Sequence, residues 1–110
     1  MPLTVVYLKS LTQGRDTLKE QLMQIGFFVV TFDVVAAAEI ALLYPAISIL
    51  IVNCTGTTAH ERLKWAKEQH NKGVKVILIG KNLGVKDIPQ FVPSTNLAHE
   101  IAAKIHELCP

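Results

Sequence analysis

The sequence predicts a three-layer α/β domain built on a five-stranded parallel sheet of order 2-1-3-4-5. In this arrangement the helix between strands four and five is shortened or missing. Three observations predict it. Short runs of Val, Ile, Leu and Phe without polar alternation recur along the chain, as expected of strands covered on both faces. Segments with helical spacing of apolar residues alternate with them, which implies parallel pairing through right-handed crossovers. The central run, Ala46 to Cys54 (AISILIVNC), breaks off into Asn53, Cys54, Thr55 and Gly56. Open α/β sheets place their sites beyond strand ends of this kind.

The elements follow in order. Leu3 to Leu8 (LTVVYL) is β-branched and apolar and reads as the first strand. Ser10 and Gln13 fit a capping box, and Leu11, Leu18, Leu22 and Ile25 share one face of the first helix. Gly14 weakens the opening turn, so the helix is expected to begin nearer Arg15 or Asp16. Gly26 ends it. Phe27 to Phe32 is the second strand, Asp33 a cap, and Val34 to Tyr44 a short Ala-rich second helix stopped by Pro45. After the central strand, Thr58 and Glu61 form another capping-box pair. Ala59, Leu63, Ala66 and His70 form the inward face of a third helix that stops at Gly73. Val74 to Ile79 is the fourth strand.

Gly80 to Pro89 (GKNLGVKDIP) is too short and broken for a normal helix. Pro89 to Pro93 is a fifth strand at an edge. One of Ser94, Thr95 and Asn96 caps a last helix with Leu97, Ile101, Ile105 and Leu108 inward.

The bulk properties narrow the function classes. A chain of 110 residues, half of them apolar and 18% charged, suits one folded domain, residues 1–110. The net charge is +2 and the Lys and Arg are scattered, which argues against direct nucleic-acid binding. Cys54 and Cys109 form no disulfide framework and read as reduced thiols. No leader pattern is visible, and no apolar run reaches the roughly 18 residues of a spanning helix, so a cytoplasmic location without membrane contact is expected.

The topology gathers Lys9, Ser10, Asn53, Cys54 and Thr55 at one crevice, the switch point between strands one and three. Several chemistries are open to these residues. Cys54 before a helix has the placement of an activated thiol. Arg62 stands eight residues on, however, and no glycine-rich cradle accompanies it, so a structural thiol is the simpler reading. The turn Thr55-Gly56-Thr57-Thr58 has hydroxyls and backbone donors for a phosphate but lacks the lysine and spacing of a P-loop, and helix capping explains it more simply. His99 and His106, seven apart, share a face near Cys109, without the ligand pairs of a structural zinc site. No metal and no cofactor is expected. Trp65 lies off the centre of its helix's apolar stripe, as either a packing residue at the rim or an exposed anchor for a partner. Lys64, Lys67 and Glu68 form a solvated face.

From Gln21 through Ile51 the chain resembles a response-regulator receiver domain. It has a helix ending before a glycine, a strand of aromatic and valine residues, a short Ala- and Glu-bearing helix, a proline, and then an apolar strand. The resemblance implies a flavodoxin-like fold and a role in signal transduction, of the two-component type, or in transcription control. Its phosphorylation motif is missing. The phospho-acceptor position falls on Asn53, the acidic pair after strand one is replaced by Leu8, Lys9 and Ser10, the hydroxyl after strand four by Gly80, and the Lys-Pro pair after strand five by Val92 and Pro93. A neutral amide is no nucleophile for phosphoryl transfer, and Lys9 at the crevice would repel Mg²⁺. The resemblance therefore implies a pseudo-receiver: a non-enzymatic module acting through a protein partner or as a homodimer, and either a whole regulator or the N-terminal piece of a larger one. Trp65, His99 and His106 are the candidate partner contacts. The alternative is a module that binds a small molecule, nucleotide or phosphate in the crevice at Ser10, Asn53 and Thr55.

Overall fold

The computed structural model describes residues 3–10, 16–44 and 46–110. Strands β1 (Thr4–Leu8), β2 (Phe28–Phe32), β3 (Ile47–Asn53), β4 (Val76–Ile79) and β5 (Gln90–Phe91) alternate with helices α1 (Leu18–Ile25), α2 (Val35–Ala41) and α3 (Ala59–Asn71), and α4 (Leu97–Leu108) closes the chain. The strands pair in parallel in the order β2-β1-β3-β4-β5. This is a flavodoxin-like fold, and no helix lies between β4 and β5.

Strand parity divides the core. Odd-numbered Val5, Tyr7, Ile49, Ile51, Ile77 and Ile79 point to one face, under α1 and α4. Even-numbered Val6, Leu8, Leu50, Val52 and Leu78 point to the other, under α2 and α3. Full burial of each such side chain contributes about 1.5–3 kcal/mol, which is why the unalternating runs form the sheet. Where a fourth crossover helix would lie, Leu83, Val85 and Ile88 of the connecting loop pack against the α3 side instead.

Several boundaries differ from expectation. The first described helical residue of α1 is Leu18, whose amide donates to the Asp16 carboxylate at 3.1 Å. The box partner Gln13, with Leu11, lies outside the described residues. Gly26 ends α1 with φ 122°, a conformation that needs glycine. Neither Asp33 nor Thr58 caps a helix through its side chain, so the Thr58–Glu61 box does not form. At α4, Ser94 Oγ instead holds the turn, accepting from the Asn96 amide at 3.3 Å and donating to Glu100 at 3.0 Å.

The largest correction concerns α3. Its buried residues are Arg62, Trp65, Ala66 and Gln69, a face turned by about one position from the predicted stripe. Two of these four are polar, so counting apolar residues points to the wrong face. Among the described residues no helix is long and apolar enough to cross a membrane.

Candidate functional site

The carboxyl ends of β1, β3 and β4 form one edge of the sheet, and parity gives its two sides different contents. On the α1/α4 side a cavity of about 300 Å³ is lined by Tyr7, Ser10, Asp16, Asn53, Thr55 and Ser94, among others. Asn53 is buried, and both the oxygen and the nitrogen of its amide are engaged. Nδ2 donates to the Tyr7 hydroxyl at 3.3 Å, while Oδ1 accepts from the Thr55 amide at 3.1 Å and the Thr55 hydroxyl at 2.5 Å. Tyr7 in turn donates to Asp16 at 2.6 Å, and Thr55 Oγ1 lies 3.5 Å from Ser10 Oγ. A hydrogen-bonded chain thus runs Asp16–Tyr7–Asn53–Thr55–Ser10. Burial, and then the bond to Asp16, pushes the Tyr7 phenol above its ordinary range, so it stays a donor at any physiological pH.

Three of the five predicted crevice residues, Ser10, Asn53 and Thr55, line this cavity together. The other two do not. Lys9 enters the edge through its backbone, donating N–H to the Phe32 carbonyl at 2.8 Å, and it is not among the described lining residues. Cys54, one residue past Asn53, falls on the opposite side, buried among Trp65, Ala66 and Leu78. Burial pushes its thiol up to about 11, with Arg62 pulling weakly the other way, so it is a packed thiol and not an activated nucleophile.

Arg62, reaching up from α3, fills the edge on that second side. It is 2% exposed. Nη1 donates to the Lys9 carbonyl at 2.6 Å, the Asn53 carbonyl at 2.9 Å and, more loosely, the Leu8 carbonyl at 3.5 Å. Nη2 donates to the Asp33 carbonyl at 3.0 Å. One guanidinium thus ties the outgoing chain ends of β1, β2 and β3. Desolvation by burial lowers its pKa, opposed by Cys54, Tyr7 and Asp33, and an arginine so placed remains a cation.

Gly80 stands where the resemblance expects a hydroxyl, and a side chain there would require Leu83 to move. A Cβ there would stand 2.9 Å from a Leu83 methyl and 3.2 Å from the Cys54 carbonyl.

The candidate contacts separate. Trp65 is 6% exposed, and its indole N–H donates to Glu39 at 3.3 Å, so it is a packing residue and not a surface anchor. His99 and His106 are both exposed on α4, with the His106 ring 5.4 Å from that of Phe27. Among the described residues, no three His, Cys, Asp or Glu side chains stand close enough to hold a metal ion. The Cys109 thiol accepts from Lys75 Nζ at 3.8 Å.

Sequence reasoning missed Arg62, Tyr7 and Asp16. The signal for Arg62 was its three-residue spacing from Trp65, once that tryptophan is taken as core. For Tyr7 it was a single polar atom at an inward strand position on the same side as Asn53. No protein-family model matches the chain, and no curated protein is significantly similar to it.

Proposed function

We propose that this domain is a degenerate receiver: a non-enzymatic regulatory module that takes no phosphoryl group and works by binding a protein partner or its own copy. The observation that carries the reading is the state of Asn53. Phosphoryl transfer of the receiver type requires a carboxylate nucleophile at the strand end and a cation to offset charge. Asn53 offers a neutral amide, and both of its ends are spent on Tyr7 and Thr55. The guanidinium of Arg62, a cation at this edge, is engaged with backbone carbonyls on the far side from the cavity. Gly80, closed over by Leu83, supplies no hydroxyl. The role belongs to signal transduction or transcription control, and the output passes through a helical face.

The cavity itself favours one second reading, a small-ligand module. Asp16 and the protonated Tyr7 are its ionisable lining groups among the described residues. Its chemistry suits a neutral polyhydroxyl or amine ligand better than a nucleotide or phosphate, which a carboxylate repels.

Incubation with acetyl phosphate and Mg²⁺, followed by intact-mass measurement, tests the main reading. The mass is expected to stay unchanged. A phosphoryl adduct that hydroxylamine removes would end the proposal.

A further inference from the structure

Helix α2 is apolar on both sides. Its inward side packs Ala38, with Val35, Ala41 and Leu42 at the margin. A second stripe, Ala36, Ile40 and Leu43, has the spacing of one helical face and points outward, with Ile40 63% and Leu43 80% exposed. Tyr44, just past the helix, and Phe28, at the start of edge strand β2 and on the same side of the sheet, are each more than half exposed. A helix that is apolar all round is normally a covered helix.

We propose that this face, from Phe28 across Ile40 and Leu43 to Tyr44, is where a second copy of the chain docks. The inference rests on the interaction-module reading above and names its surface and partner. Two observations select a second copy. The first is charge. From Val34 to Ala46 the only charged side chain is Glu39, and it is engaged by Trp65. A two-fold contact brings two patches of the same net charge together, so a face nearly free of charge suits self-association. A partner recognised by opposite charge would need a charged face to meet. The second is area. Phe28, Ile40, Leu43 and Tyr44, all more than half exposed, together leave on the order of 500 Å² open, the size of a monomer's largest patch and more than half of the ~800 Å² per partner of a stable interface. Beyond Tyr44 the charge-poor face is bounded by a recess of about 570 Å³ at the amino edge of the sheet, whose lining includes Lys72 and Lys75.

Sedimentation equilibrium of the full chain, from micromolar to several hundred micromolar, tests this. Wild type is expected to pass from monomer to dimer. Ile40→Lys and Leu43→Lys, each made alone, are expected to raise the dimer dissociation constant at least tenfold, with thermal melting unchanged because both side chains already face water. Amide NMR of wild type gives a readout free of any variant: dilution should shift Phe28 and residues 36–44 selectively. A monomer throughout the range, a dimer that both variants leave intact, or dilution shifts confined to α4 would overturn the proposal. These outcomes leave the phosphoryl test untouched, and a phosphoryl adduct would not alter the measured mass distribution of a dimer, so the two ideas fail separately.

Discussion

Arg62→Met should lower the stability of the domain by about 3 kcal/mol, because a buried acceptor left without its donor costs roughly 1–3 kcal/mol and Arg62 serves the carbonyls of Lys9, Asn53 and Asp33 at 3.0 Å or less. The simple sum is larger. Water can enter at the edge and satisfy part of the debt, and methionine keeps the packing of the arginine stem. In thermal unfolding this corresponds to a drop of roughly 10–20 °C for a domain of this size. Arg62→Lys keeps the charge but not the planar fork, so one ammonium cannot reach the ends of three strands at once, and it should recover less than half of the loss. Urea unfolding followed by Trp65 fluorescence measures both. A loss under 1 kcal/mol for Arg62→Met would mean that the guanidinium does not hold the edge together.

The second large effect is alkaline. The Cys54 thiol moves from its usual 9.0 to about 11 in the folded chain, chiefly because it is desolvated. An acid that is harder to ionise when folded favours the fold only while the group stays protonated. The contribution is therefore intact below pH 9 and is lost as pH rises from 9 to 11, when the unfolded chain ionises first. The size is on the order of 2–3 kcal/mol. Tyr7 is raised as well and adds a loss of the same sign at higher pH. The comparison that isolates the thiol is wild type against Cys54→Ala. The variant loses a roughly constant packing term, and its stability should fall less steeply between pH 9 and 11. Parallel pH profiles for the two proteins would show that Cys54 does not titrate late in the fold. The same burial predicts that iodoacetamide at neutral pH modifies native Cys109 well before Cys54.

The architecture was legible because the signals for it are strong and local. Runs such as VVYL and ILIV are short and β-branched, which favours a strand buried on both faces, and their alternation with helical spacing leaves few topologies. Gly26 marked a true stop because its positive φ is one that glycine alone adopts cheaply. The gathering of Ser10, Asn53 and Thr55 followed from strand order alone. What failed was anything that depended on a polar residue being inside. Arg62 and Gln69 hid the inward face of α3, and with it the packing role of Trp65. Lys9 and Cys54 were placed by proximity along the chain, whereas parity sends Cys54 to the opposite side of the sheet from Asn53. The Asp16–Tyr7 bond spans nine positions, and no local pattern encodes a contact between a strand and the start of the next helix.

With Asn53 tied to Tyr7 and Thr55, the switch-point crevice is expected to accept neither a metal ion nor a phosphoryl group. The most direct measurement is an amide NMR titration of the wild-type chain with Mg²⁺ and then with beryllofluoride, a phosphoryl mimic. No saturable shift is expected at Tyr7, Asn53 or Thr55 at millimolar concentrations of either. Saturable shifts at Asn53 and Thr55 would contradict it and make the crevice a working ligand site.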